Sequence, residues 1–263
     1  MLDVKNAMKV FGRGTPVEHT ALNNLSLHLD KGEFVCLIGS NGAGKSTLFN
    51  AICGTFLLDG GSITLDGRDI TFMREYKRAH AIGRVFQDPM VGTAPHMTIA
   101  ENLSLAYSRS QAWALHFAPD RKQKALFRDK LAAYGMGLED RMDAKVGLLS
   151  GGQRQAVTLL MCTIVPPKLL LLDEHTAALD PAMAEKVMKI TREVVAAEGL
   201  TTMMITHNMR AALTTGTRTV MMDSGSVLLD LSGEERASLT LDGLLAMYKS
   251  RKAEVFDNDR MLL

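Results

Sequence analysis

Phe34-Val35-Cys36-Leu37-Ile38-Gly39-Ser40-Asn41-Gly42-Ala43-Gly44-Lys45-Ser46-Thr47 is a five-residue apolar run that enters a glycine-rich turn. A run of that length, bounded by turn residues, reads as a buried strand, and the residues from Lys45 to about Gly54 read as a helix. Glycines at 39, 42 and 44 let the backbone turn tightly and aim N–H groups inward. The helix adds the positive end of its dipole, so the turn is a phosphate cradle of the P-loop type. In it Lys45 supplies a point charge for the β- and γ-phosphates, Ser46 a hydroxyl for Mg²⁺, and Thr47 a contact to the α-phosphate.

Outward from this strand the pattern repeats. Leu169–Leu172, Thr202–Ile205 and Thr219–Met222 are further strand-like runs, with helical stretches at Gln153–Ile164 and Pro181–Ala197. Strands alternating with helices of this length predict βαβ units and a mainly parallel sheet, an α/β fold on a P-loop NTPase core. Leu2 to Asp30 alternates like strands, with turns at Gly12-Arg13-Gly14 and Asp30-Lys31-Gly32. Ser62–Leu65 and Asp69–Thr71 read as short strands around the Asp66-Gly67 turn. From Asp88 to about Ala144 the pattern turns helical and polar, which predicts an inserted helical subdomain. Its basic piece, Arg121-Lys122-Gln123-Lys124 with Arg128 and Lys130, reads as a solvated helix face, since no aromatic stacking platform accompanies it. A short helical tail follows Leu231.

Other segments carry chemistry. In Leu149-Ser150-Gly151-Gly152-Gln153, Ser150 can cap the helix that follows, and both glycines expose N–H groups beside it, a second anion site. Each of the two loops heads its own helix, so one chain cannot easily close both on the same phosphate. Leu171-Leu172-Asp173-Glu174 puts two carboxylates at the end of a buried strand, and a parallel strand delivers that end to the ligand crevice. Val85-Phe86-Gln87-Asp88-Pro89, Ala178-Leu179-Asp180 and Ile205-Thr206-His207-Asn208 complete the series.

These elements, in this order and spacing, resemble the ATP-binding cassette (ABC) ATPases from about Leu2 to Leu231. The resemblance implies one ABC ATPase domain over residues 1–263. A core with an N-terminal antiparallel β subdomain would occupy 1–87 and 145–231, a helical subdomain 88–144 and a helical tail 232–263. It implies ATP and Mg²⁺, with Asp173 holding the metal through water, Glu174 polarising the attacking water, and Gln87 reaching both. His207 would contact the γ-phosphate. Ser150 and Gly152, with Gly151 and Gln153 in the same signature loop, would act on the nucleotide of a second subunit, and Asp180 would cross the dimer seam. Phe11 is the candidate to stack on adenine, with His19 or a displaced loop as alternatives. Two positions depart from the common pattern. Position 175 is His where Pro is usual, and position 208 is Asn where Asp is common. His175 would either tune the pH dependence of Glu174 or simply pack.

The implied partners are a second copy, in a nucleotide-dependent homodimer, transmembrane permease subunits, and indirectly a solute-binding protein. The run Leu149–Pro181 resembles cassettes paired with lipoprotein-type binding proteins for amino acids or similar small solutes. An exporter or lipid-extraction ATPase would differ only in its membrane partner. Soluble members of repair or translation type carry a long coiled coil or two cassettes, which this sequence lacks. The expected docking surface for the permease is Gln87 to about Ala106, where Pro89, Gly92 and Pro95 shape a loop and Met90, Val91 and Met97 offer adaptable apolar contacts. The expected location is peripheral, at the cytoplasmic face of the inner membrane.

Composition agrees with a globular chain: 263 residues, 46% apolar and 22% charged. A net charge of +1 provides no global field for nucleic acid, so none is expected as a partner. Cys36, Cys53 and Cys162 form no CxxC pair and read as reduced thiols. No apolar leader follows Met1, and the greasiest stretch, 156–172, is broken at Pro166-Pro167, so no membrane span is expected.

Overall fold

The computed structural model describes residues 1–110 and 119–261. In chain order its first elements are β1 (Leu2–Phe11), β2 (His19–Leu29), β3 (Phe34–Gly39), α1 (Lys45–Cys53), β4 (Gly60–Leu65), β5 (Arg68–Asp69) and α2 (Glu75–Arg78). Next come β6 (Ile82–Val85), α3 (Ile99–Tyr107), α4 (Arg121–Ala132), α5 (Gly151–Thr163), β7 (Leu169–Asp173) and α6 (Pro181–Glu198). The last are β8 (Thr201–Ile205), α7 (Met209–Thr214), β9 (Arg218–Asp223), β10 (Ser226–Ser232), α8 (Gly233–Ala237) and α9 (Leu241–Met261). The chain divides into two compact units, residues 1–78 with 201–263, and residues 79–200.

In the first unit, β1, β2, β4 and β5 make an antiparallel sheet in the order β2-β1-β4-β5. Val4 faces Leu27 on one side and Ile63 on the other, which fixes the buried face of the middle strand. The register breaks after Val4, where Asn6 takes φ 49° and donates its N–H to Ser26 Oγ at 2.9 Å. The remaining strands of the unit run β10-β9-β3-β8, with β3 parallel to both β8 and β9. Every apolar residue of β3 is buried, as are Met203, Met204, Met221 and Met222, so the methionine pairs are core. β10, which the sequence did not announce, pairs antiparallel with β9 across a Ser224-Gly225 turn. Its Val227 and Leu228 are both only half buried, and the register shifts between Val227 and Leu229, which blurs the strand pattern. Thr71 leaves the expected strand at 69–71, because its hydroxyl turns back to accept the Ile63 N–H at 2.9 Å.

Behind the phosphate-loop helix of the same unit lies Arg78, 2% exposed. Its guanidinium donates to the carbonyls of Ala51 and Ile52 at the end of α1 and to those of Thr71 and Met73. Gly54 ends α1 at φ 84°, and a Cβ there would stand 2.7 Å from Arg78 Nε. Glycine is therefore required by both backbone and space.

In the second unit β6 and β7 run parallel, Ile82 facing Leu169 and Val85 facing Leu172. Each long helix here opens on a side-chain cap: Thr98 for α3, Asp120 for α4, Ser150 for α5 and Asp180, with Pro181 following, for α6. The cap on Ser150 starts α5 at Gly151, two residues before the expected Gln153. Leu103, Phe127, Leu131, Val157, Leu160 and Val187 fill the interior. The residues 88–144 expected as a helical subdomain fall within this unit, together with β6, β7, α5 and α6. Residues 111–118 of that stretch, and 262–263 of the expected tail, lie outside the described residues. Among the described residues no helix is long and apolar enough to cross a membrane.

Candidate nucleotide site

The first unit carries the phosphate loop. α1 begins on Gly44, φ 97°, and no side chain caps it, unlike the four capped helices of the second unit. The first N–H groups of an uncapped helix are the donors that an anion takes up. A Cβ on Gly39 would stand 2.3 Å from the Met222 carbonyl, and one on Gly44 2.5 Å from that of Ala21. Gly42 has open space around it, so its φ of 81° alone calls for glycine. Ser40, Asn41 and Ser46 are exposed, Thr47 is half-buried, and Ala43 is buried. Lys45 is buried, and its Nζ donates to the carbonyls of Gly39 at 2.8 Å and Ser40 at 2.9 Å. The ammonium is thereby held against the loop that it serves.

His207 follows β8, is exposed, and borders a cavity of about 250 Å³ together with Gly39, Ser40, Met209 and Tyr248. Asn208 caps α7, its Oδ1 accepting the Ala211 N–H at 2.9 Å. Asparagine does here what aspartate would do, so this departure from the family pattern leaves the turn intact. Phe11 is 41% exposed at the end of β1 and meets Phe56 edge to face at 5.4 Å. Lys9 Nζ lies over both rings. In register, Phe11 stands opposite His19, so the two side chains named for an adenine contact occupy one rung of the β1–β2 ladder.

The second unit carries the carboxylates and the second loop. Asp173 ends β7 half-buried, and Arg84 of β6 donates to its Oδ2 at 2.7 Å. Arg84 also stacks on Phe86 at 4.7 Å, next to the exposed Gln87, and Gln155 donates to the Phe86 carbonyl. Arg84 is absent from the sequence reading, although a lone cation in the run Ile82-Gly83-Arg84-Val85 was the available signal. Glu174 has φ 47°, in the left-handed region. For a residue with a Cβ that costs about 1–3 kcal/mol, and such outliers gather where a side chain must be aimed. His175 is 2% exposed and shares a 3.1 Å hydrogen bond with Thr191 of α6. Burial lowers its pKa from 6.5 to about 4, so it is neutral at physiological pH. Of its two possible roles, packing is the one the structure gives it.

Ser150 accepts the Gln153 N–H on Oγ at 3.3 Å, while Gln153 Oε1 accepts the Ser150 N–H at 3.3 Å. Gln153 is thus turned back on its own helix, and the Ser150 hydroxyl keeps its proton to donate. Gly151 is exposed, whereas Gly152 is buried, where a Cβ would stand 2.1 Å from Met183 Cγ. Asp180 Oδ1 accepts the Met183 N–H at 3.0 Å, so the exposed loop ahead of α6 is pinned at its end. Ser46, Asp173 and Gln87 offer hydroxyl, carboxylate and amide oxygens, the hard donors that suit Mg²⁺. Asp173 gives one oxygen to Arg84 and has a second with its own lone pairs.

A family model described as ABC transporter matches residues 22–177. The chain is 43% identical over 249 residues to a tyrosine transport ATP-binding protein of Clostridioides difficile, a match over 95% of this chain and 99% of that one. It is 34% identical over 224 residues to a thiamine import ATP-binding protein of Escherichia coli, over 82% of this chain and 90% of the relative. Its fold superposes on a solved dimeric ATP-binding cassette bound to ADP and phosphate with a TM-score of 0.76 and 26% identity, covering 88% of this chain and 98% of that one.

Proposed function

The chain belongs to the ABC transporter family of ATPases, and from that premise we propose that it drives import of an amino acid or similar small solute through partner permease subunits. ATP is its substrate and Mg²⁺ the metal of the reaction. The near end-to-end likeness to a tyrosine transport ATP-binding protein carries the reading, and the import relative favours inward transport over export.

In this reading the loop 39–47 wraps the phosphates with backbone N–H groups while Lys45 offsets their charge. Ser46, Asp173 and Gln87 hold the metal, which when bound supplies positive charge against the phosphates. Glu174 orients and polarises the attacking water, its aim supported by the left-handed backbone. Gln87 and His207 read the γ-phosphate end, and Phe11 or His19 contacts the adenine. Ser150 and Gly152, in their loop with Gly151 and Gln153, serve the nucleotide of a second copy across a seam that Asp180 borders. A dimeric cassette among the similar structures supports that arrangement. Docking of a permease helix on 87–106, where Met90 and Val91 are exposed, keeps the subunit at the cytoplasmic face of the membrane.

The test is reconstitution with permease and binding-protein subunits that co-purify with it, measuring uptake of labelled solutes into vesicles. ATP-dependent uptake of tyrosine or another amino acid, lost in Glu174→Gln, is expected. Uptake of thiamine or sulfate instead would overturn the solute class, and net efflux would overturn import.

A further inference from the structure

Within the first unit, the C-terminal helix reaches the phosphate loop. Tyr248 and Lys252 are four residues apart on α9 and therefore share a face. Lys252 Nζ donates to Asp223 Oδ1 at 3.3 Å and to the Tyr248 hydroxyl at 3.0 Å, and the Tyr248 hydroxyl donates to the same Asp223 oxygen at 3.4 Å. Asp223 closes β9, whose Met222 pairs with Gly39 of β3. Its Oδ1 also accepts from Ser40 Oγ at 3.5 Å. Tyr248 is in addition a wall of the cavity that Gly39, Ser40 and His207 border.

A carboxylate one hydrogen bond from a phosphate loop opposes the ligand. The Asp223 side chain is only 14% exposed, so solvent screens its charge poorly. The cation that answers it comes from α9. The hydrogen bonds that Lys252 donates to Tyr248 and Asp223 raise its pKa, which keeps it charged.

We propose that α9 is a working part of the nucleotide site: Lys252, oriented by Tyr248, neutralises Asp223 and so sustains the affinity of the loop at 39–47 for polyphosphate. The proposal rests on the reading of that loop as the phosphate site. Lys252 and Tyr248 are positioning residues that act through Asp223 and Ser40, and the ligand class is a nucleoside di- or triphosphate.

Titrations of the full chain with fluorescent N-methylanthraniloyl ATP and ADP at low salt decide it. Lys252→Gln should weaken the ATP analogue roughly three- to fivefold, with a smaller loss for the ADP analogue. Lys252→Arg should restore wild-type affinity, and Lys252→Gln combined with Asp223→Asn should return to within about twofold of wild type, because the uncompensated charge is gone. The gap should close at about 0.5 M salt. Wild-type affinity in Lys252→Gln, or a double variant as weak as the single one at an unchanged melting temperature, overturns the proposal. If the wild-type chain itself ignores the analogues and Lys45→Ala changes nothing, the phosphate-loop reading has failed instead.

Discussion

Glu174 holds a backbone conformation that an L-residue adopts only at a cost, and it does so at the tip of β7, beside Asp173. Glu174→Gln keeps shape and backbone but removes the charge that, in the proposed mechanism, polarises water. Nucleotide binding should persist while turnover falls by about 10²-fold or more, measured as ATP hydrolysis with the permease present. Its neighbour His175 gives a pH signature of a different kind. Between its folded value of about 4 and its ordinary value of 6.5, the unfolded chain binds a proton that the folded chain excludes. The stability it contributes is therefore complete above about pH 6.5 and drains away as pH falls toward 4. In the nucleotide- and metal-free protein, wild type should lose roughly 1–3 kcal/mol more than His175→Gln between pH 7 and pH 4.5 in urea titrations. Parallel losses would show that the ring is hydrated. Glu174, His175 and the P-loop residues were legible because each sits in a local string of fixed chemistry. Arg84 was not, since its partner Asp173 is 89 residues away and only strand pairing brings them together.

At the scale of elements, α5 shows two demands on one glycine. The signature loop asks for exposed N–H groups, yet Gly152 is buried under Met183 of α6. Gly152→Ala should cost about 1–2 kcal/mol of stability, and Met183→Ala in the same chain should recover much of it, a coupling that thermal melts of the four variants would measure. Additive losses would mean that helix packing is not the constraint. Elements with strong local marks were readable: the apolar run of β3, the Ser150 cap, Pro181 at the head of α6, Gly54 closing α1. β10 escaped because half-buried Val227 and Leu228, with a register shift between Val227 and Leu229, hide the alternation of an edge strand. The reach of α9 to Ser40 escaped because 183 residues separate Ser40 from the Asp223 that joins them.

For the whole molecule, the two anion loops head different helices, so nucleotide should be part of the dimer interface. Glu174→Gln, expected to bind ATP without turning it over, should run as a monomer without nucleotide and as a dimer with Mg-ATP when sized by light scattering. A chain that stays monomeric at saturating ATP beside its membrane partners would sink the shared-site arrangement. Cysteines placed at Met90 and Val91 should cross-link to the permease; cross-links confined to the far end, 231–263, would move the docking surface there. The buried guanidinium of Arg78 adds a consequence for the timing of backbone opening. It ties the end of α1 to the carbonyls of Thr71 and Met73, so the final turn of that helix cannot fray without releasing the segment ahead of α2. Amide hydrogens in the two stretches should then exchange with deuterium at a common slow rate, as one cooperative unit whose release requires a buried cation to find water.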